Sequence, residues 1–340
     1  MQVQKLIIAV TMGDPAGIGP EIVLKSAAQL RRKKQHAYAV IGDYAVLEEA
    51  NKQLGLGVVL RKIASPSDAD AINVRGGLPI IDLGVVKDVS SLKKGRVSPL
   101  GGRAAVAYIQ HAVNLALKHS VQGIATGPIN KEALREARFH YIGHTEMLSE
   151  LSGGGRSVTM FMVDRMRIFF HTRHISVRNM LQSLSIEGVV DSIIQAHKCL
   201  ESIGLGKGRI ALAALNPHAS DGGLFGDDEE TILTPACEEA EKRGVNVEGP
   251  VPADSVFHLA LEGHYDGVVS LYHDQGHIAA KTYDFYRTVS VTLGLPFMRT
   301  SVDHGTAFDI AWKGKANPKS MNKAIQACFE LAAKYRPVLL

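Results

Sequence analysis

Fourteen histidines are spread over the 340 residues of this chain, and those that could do chemistry stand in short polar segments directly after apolar runs of strand length. His174 follows a pair of alternating apolar runs. His218 lies in Asn216-Pro217-His218-Ala219-Ser220-Asp221-Gly222-Gly223, and His273 opens His273-Asp274-Gln275-Gly276-His277. Three imidazoles suit a divalent transition metal that keeps one coordination position open for a substrate. With so many histidines, spacing alone does not choose His174 over His171, or His273 over His277.

Three further segments extend that chemistry. Residues 11–21, TMGDPAGIGPE, stand between a strand and a helix. Their glycines permit a sharp turn and close backbone approach, and the helix start offers unpaired N–H groups to an anion. They are not the GxGxxG fingerprint, and a plain strand-to-helix turn reads equally well. Residues 299–318 run from Arg299 through His304, Gly305, Thr306, Ala307 and Asp309 to Asn317, a loop of polar and small residues suited to hydrogen-bonding an adenosine. Lys281 and Arg299 add a point charge and a planar fork, which suit phosphate and carboxylate groups.

The elements that must position these residues are legible as apolar runs at 5–11, 37–41, 121–125, 209–215 and 267–272, alternating with helical patterns. That alternation predicts an α/β chain with a parallel sheet. Pro20 at a first helical position predicts a helix to about residue 30. Further helices are predicted at 104–117, 186–200 and 322–334. In the second of these Ile186, Val189, Val190, Ile193, Ile194 and Leu200 share one face, so His197 reads as a packed or solvated helix residue. Runs 157–163 and 167–171 read as a hairpin turning at Asp164-Arg165, and 65–101 reads as loop-rich, the least regular part of the chain. Ligands gather at the carboxyl ends of strands in open parallel sheets, which is where the histidine segments fall.

The net charge of +4 is carried by scattered lysines and arginines, which argues against a nucleic-acid partner. The basic run 31–34 reads as the cationic end of a helix. Cys199, Cys237 and Cys328 are odd in number and lack CxxC spacing, so a reduced compartment is expected, and Cys199 and Cys328, on apolar helical faces, read as buried, unreactive thiols. The first apolar run is too short for a signal peptide, and no stretch approaches the ~20 apolar residues that span a bilayer. A cytoplasmic protein without a membrane partner is expected.

Taken together, TMGDPAGIGPE, ATGPINKEAL from Ala125, GHTE from Gly143, NPHASDGG, PADSVF from Pro252, YHDQGH and LGLPFMRTSVDHGTAFDIA from Leu293 resemble the PdxA family, the 4-hydroxythreonine-4-phosphate dehydrogenases, over nearly the whole chain. The segment HGTAFDIAWKGKANP also resembles the loop that receives the adenine side of the dinucleotide in isocitrate and isopropylmalate dehydrogenases. The resemblance implies their fold, two α/β domains with a cleft between them. Residues 1–135 and 295–340 would carry the dinucleotide loop, and 136–294 the metal and dimer contacts. It implies NAD or NADP and one divalent ion (Zn, Co, Mn or Mg) held by His174, His218 and His273. Substrate contacts would be His144, Thr145, Lys281, Ser290 and Arg299, and cofactor contacts His304, Gly305, Thr306, Ala307, Asp309 and Asn317. A homodimer with a shared active site is implied as well.

Two departures from the family pattern bear on substrate. Ser290 stands where the family has a substrate-contacting asparagine, and His277-Ile278 replaces the usual Leu-Pro. The second change resembles the catabolic branch that acts on D-threonate or D-erythronate 4-phosphate. The implied reaction oxidises the C3 hydroxyl, after which the β-keto acid loses carbon dioxide to give dihydroxyacetone phosphate. Lys281 would neutralise charge, and Asp254 or Asp274 would accept the proton. The alternative substrate is 4-hydroxy-L-threonine 4-phosphate of pyridoxal phosphate biosynthesis. A phosphate acyltransferase or a non-catalytic metal-binding protein are more distant alternatives, and neither uses both the histidine set and the adenosine loop.

Overall fold

The computed structural model describes residues 6–30, 36–69, 76–338 and 340. Lys5, expected at the start of the first strand, and the basic run 31–34 lie outside the described residues. The chain clusters into two compact units, 1–155 with 295–333, and 156–294 with 334–340. The segment 136–155, expected in the second domain, clusters with the first because its helix packs on the helix Pro99–Leu117. The tail 334–340 clusters with the second unit, where Arg336 N donates to Ser202 O at 2.8 Å.

In the first unit six strands run parallel: β1 (Leu6–Thr11), β2 (His36–Gly42), β3 (Leu60–Lys62), β4 (Leu78–Asp82), β5 (Gly123–Thr126) and β12 (Met298–Val302), in the order β3-β4-β2-β1-β5-β12. The interior strands are apolar on both faces, as parallel strands covered by helices must be, and Ile8, Ile41 and Ile124 are fully buried. The helices are α1 (Gly19–Gln29), α2 (Tyr44–Leu54), α3 (Pro99–Leu117), α4 (Lys131–Glu136), α5 (His144–Leu151) and, near the chain end, α11 (Lys319–Ala332).

Two expectations for this unit need correction. Residues 65–101 are not simply loop, since β4 lies among them with Leu78 and Ile80 fully buried. Its Leu-Pro-Ile-Ile-Asp run hides the strand because Pro79 has no N–H for a ladder. Helix α3 begins five residues before the expected start at 104, because Ser98 caps it by accepting from Gly101 N at 3.2 Å and Pro99 supplies a preset first turn.

In the second unit β6 (Val158–Val163) pairs antiparallel with β7 (Met166–Phe170) and with β11 (Val289–Leu293). The hairpin turns where expected, with Asp164 at φ 49°. From β7 onward the strands are parallel, in the order β7, β10 (Gly267–Ser270), β8 (Ile210–Ala213), β9 (Val247–Val251). The helices are α6 (Val177–Ser183), α7 (Ile186–Ser202), α8 (Thr234–Lys242), α9 (Val256–Glu262) and α10 (His273–Asp284). Val163, Met166, Ile168, Val256, Ala260 and Val268 form the core beneath α9 and α10. His197 is half-buried on α7. All three cysteines are buried, and desolvation pushes each thiol up to about 12, which keeps them protonated and unreactive. Among the described residues no helix is long and apolar enough to cross a membrane.

Candidate active site

Four neighbouring parallel strands of the second unit each end in a loop or helix that carries a chemically competent side chain. After β7 comes His174, after β10 His273, after β8 His218, and after β9 Asp254. Parallel strands direct all their carboxyl ends to one edge of a sheet, so residues up to a hundred positions apart are delivered to the same side.

His273 is the first residue of α10. Its Nδ1 donates to Asp274 Oδ1 at 2.6 Å, which commits that nitrogen and leaves Nε2 as the one that could meet a ligand. His174 is exposed, and its ring centroid lies 6.0 Å from that of His273. Two imidazoles sharing one cation would have centroids roughly 5 Å apart at usual metal–nitrogen distances. The two rings are tilted at 43° to one another, so the centroid separation alone brings them near each other without fixing where their nitrogens point.

His218 is positioned by a backbone that enters the left-handed region for four non-glycine residues in succession, His218, Ala219, Ser220 and Asp221, at φ 54°, 56°, 64° and 47°. Each such residue is held against its own preference. The loop is secured at its root, where buried Glu229 accepts from Leu215 N at 2.9 Å, Asn216 N at 2.7 Å and Asn216 Nδ2 at 2.8 Å. His218 and Asp254 line one cavity of about 330 Å³ with Asn216 and Ala253. Among the described residues no three histidine, cysteine or carboxylate side chains converge within coordinating reach. The structure thus brings His174 to His273 and His218 to Asp254, and does not draw all three histidines into one tight cluster.

The two rivals left open by spacing each have one ring nitrogen engaged. His171 Nδ1 donates to Ser192 Oγ at 2.8 Å, while Ser192 donates onward to Gly188 O at 2.9 Å, and burial lowers the ring's pKa. His277 is 9% exposed and stacks on His273 at 3.8 Å with an interplanar angle of 12°, its Nδ1 donating to His273 O. Lys281, two turns along the same face of α10 from His273, holds its ammonium 5.6 Å from the Phe285 ring. Ser290 is half-buried on β11 opposite Phe161.

The first unit carries the remaining residues. Arg299, on β12, is 3% exposed, and its Nε and Nη2 donate to Thr126 Oγ1 at 3.2 and 2.8 Å. Desolvation lowers its pKa to about 9, so the guanidinium is still charged at neutral pH. His144, first residue of α5, has its Nε2 buried, and burial followed by the nearby Arg299 charge holds its pKa well below the usual value. A neutral imidazole thus stands beside a desolvated cation, with half-buried Thr145 next to it. Thr126 was not singled out from sequence. Its signal was its place in the ATGPINKEAL motif at the end of a strand.

The loop after β12 is bound to the turn after β1. Ile18 N donates to Thr306 O at 3.0 Å, and a Cβ at Gly17 would stand 2.8 Å from Thr306 Cβ. Thr306 is buried, whereas Gly305 and Asp309 are exposed and His304, Ala307 and Asn317 are half-buried. A Cβ at Gly305 would meet nothing within 4 Å, so its backbone is approachable. Asn317 Oδ1 accepts from Lys319 N at 3.0 Å and so steadies the start of α11.

Asp14, unremarked in the sequence, is fully buried in that turn. Its Oδ1 accepts from Ala16 N at 2.9 Å, its Oδ2 has no partner, and burial raises its pKa from 3.8 to about 6. The unfolded carboxyl loses its proton first, so Asp14's contribution to stability is full below about pH 4, declines up to about pH 6, and is absent above it. Holding this buried carboxylate ionised costs the folded state roughly 3 kcal/mol. Asp14→Asn is therefore expected to raise the melting temperature by roughly 3 °C or more at pH 8 and hardly at all at pH 4. A folded variant with no gain at pH 8 contradicts this reading.

Comparison with known proteins agrees with this architecture. The family model described as "Pyridoxal phosphate biosynthetic protein PdxA" matches residues 34–328. A Fusobacterium nucleatum protein named "Putative D-threonate 4-phosphate dehydrogenase" is 49% identical over 97% of this chain and 97% of its own, and a Clostridium botulinum (strain Langeland) protein of the same name is 49% identical over 98% of both. The crystal structure of 4-hydroxythreonine-4-phosphate dehydrogenase from Klebsiella pneumoniae superposes with a TM-score of 0.87 at 40% identity, covering 98% of this chain and 100% of that one. By motif order, fold and whole-length similarity, this chain belongs to the PdxA family of dehydrogenases.

Proposed function

We propose that the protein is a metal-dependent, NAD(P)-linked dehydrogenase that oxidises the C3 hydroxyl of D-threonate 4-phosphate or D-erythronate 4-phosphate and releases carbon dioxide, leaving dihydroxyacetone phosphate. The observation that carries this reading is the delivery of His174, His273, His218 and Asp254 by four adjacent parallel strands. His174, His218 and His273 would hold a divalent ion; the donor chemistry fits, and the Asp274 bond to His273 is the outer-shell contact that such a ligand needs. When bound, the dinucleotide accepts the hydride and the cation lends Lewis acidity to the oxygen that loses its proton.

The chain's own residues do the rest. Asp254, exposed and sharing the cavity of His218, is better placed than Asp274 to take the hydroxyl proton, because Asp274 is engaged by His273. Arg299 and Lys281 take anionic ends of the substrate, and His144, kept neutral by burial, donates or accepts a hydrogen bond without adding charge. A homodimer with a shared active site is part of this reading, and the exposed apolar side chains Val177, Leu181, Phe225, Ile278 and Phe285 of the second unit are candidates for its contacts.

The test is absorbance at 340 nm with each of three acids, NAD or NADP, and Zn, Co, Mn or Mg in turn. Turnover of D-threonate or D-erythronate 4-phosphate that a chelator stops and a divalent ion restores is expected. Turnover confined to 4-hydroxy-L-threonine 4-phosphate would favour the second reading, which the name of the Klebsiella structure supports. Reduced dinucleotide appearing with none of the acids overturns both.

A further inference from the structure

The turn that follows the adenosine-type loop has no secondary structure to satisfy its backbone. Trp312 and Gly314 have φ 63° and 74°, so the chain reverses sharply there. Two side chains one helical turn apart on α1 take up the orphaned groups. Glu21 Oε2 accepts from Gly314 N at 3.2 Å and Oε1 from Ala316 N at 2.8 Å. Lys25 Nζ donates to Gly314 O and Ala316 O, both at 2.8 Å, and to Glu21 Oε1 at 2.7 Å. The three ammonium protons thus have three acceptors, and both residues read the amide and the carbonyl of the same two positions. The side chains are 2% and 18% exposed, so the network is largely withdrawn from water, where a fully satisfied charged network holds geometry best.

The same turn is gripped from other directions. Trp312 Nε1 donates to Pro15 O at 3.1 Å, Gln53 Nε2 donates to Trp312 O at 3.0 Å, and Lys94 Nζ lies 4.1 Å over the indole ring. These contacts bind the loop from 304 to 317 to the first turn and first two helices of the unit. We propose that Glu21 and Lys25 are a positioning pair that holds residues 312–317 in the conformation that receives the adenosine end of the dinucleotide. The inference rests on reading this loop as the dinucleotide site. Neither side chain needs to touch the cofactor; the pair removes the ordering cost that a mobile loop would levy on binding.

Trp312 is the single tryptophan of the chain, so emission excited at wavelengths that tyrosine does not absorb reports on this turn. The experiment titrates NAD and NADP into the wild-type protein, Lys25→Met and Glu21→Gln, following Trp312 emission, with hydrogen exchange read at Gly314 and Ala316. Lys25→Met is the milder change, since Glu21 keeps both backbone donors. In both variants exchange at the two amides is expected to accelerate at least about tenfold. The dinucleotide Kd is expected to rise about tenfold, with the KM for phosphorylated substrate at saturating dinucleotide unchanged. Faster exchange with an unchanged Kd overturns the positioning role. A wild-type protein that binds the dinucleotide without any change at Trp312, or fails to bind it, overturns the reading of the loop itself.

Discussion

His218→Ala is expected to lower kcat by at least on the order of 10³-fold, because a lost Lewis acid removes several kcal/mol of transition-state stabilisation. The dinucleotide Kd should stay within about twofold of the wild type, and the melting temperature should be nearly unchanged. The structure makes this a clean test. His218 is exposed, and the loop's anchorage runs through Asn216 and Glu229, which the substitution leaves alone. Ala219 next door already adopts the same left-handed backbone, so the loop accommodates alanine in this conformation. Metal content measured on the purified variant should fall in parallel with kcat. Full activity in His218→Ala removes the metal from the proposed mechanism; loss of activity with metal content retained assigns His218 another role.

Arg299→Met is the second substitution with a large expected effect. Hydrogen bonds to a charged partner contribute roughly 1.5 to 3 kcal/mol each, so the KM for phosphorylated substrate should rise on the order of 10²-fold while the dinucleotide Kd holds. Stability should behave oppositely. Desolvation brings the pKa of Arg299 down to about 9, so the folded state holds this charge at a cost that an apolar side chain of similar length does not incur. The expected signature is therefore a weaker enzyme that melts no earlier. A variant with unchanged KM discredits Arg299 as an anion ligand, and one that melts far earlier marks it as structural.

How much of this was legible in the sequence depended on the range of the interaction concerned. The hairpin at Asp164 and the helix Ile186–Ser202 were readable because turn chemistry and apolar periodicity act over a few residues. Strand β4 was not, since Pro79 disguises it and only pairing with β2, through Val40 opposite Ile80, reveals a buried interior strand. The histidine loops could be found from their position after apolar runs. Their grouping could not, because the spatial order β7, β10, β8 differs from the order in the chain. Asp14 and Thr126 escaped notice for the same reason: a carboxylate looks ordinary until Gly101 and Pro128 are seen to close over its turn, and a threonine until a guanidinium from position 299 lies on it.

The first unit's division into two stretches of chain bears on how the protein is made. Strand β5 pairs with β12 through Ile124 opposite Arg299 and Ala125 opposite Thr300, and residues 156–294 of the second unit are translated between them. During elongation at about 5–20 residues per second, the nascent polypeptide carries a short apolar edge at Gly123–Thr126 with nothing to pair with for many seconds. Unpaired edges of this kind invite aggregation. Extra holdase chaperone during expression should therefore improve the soluble yield.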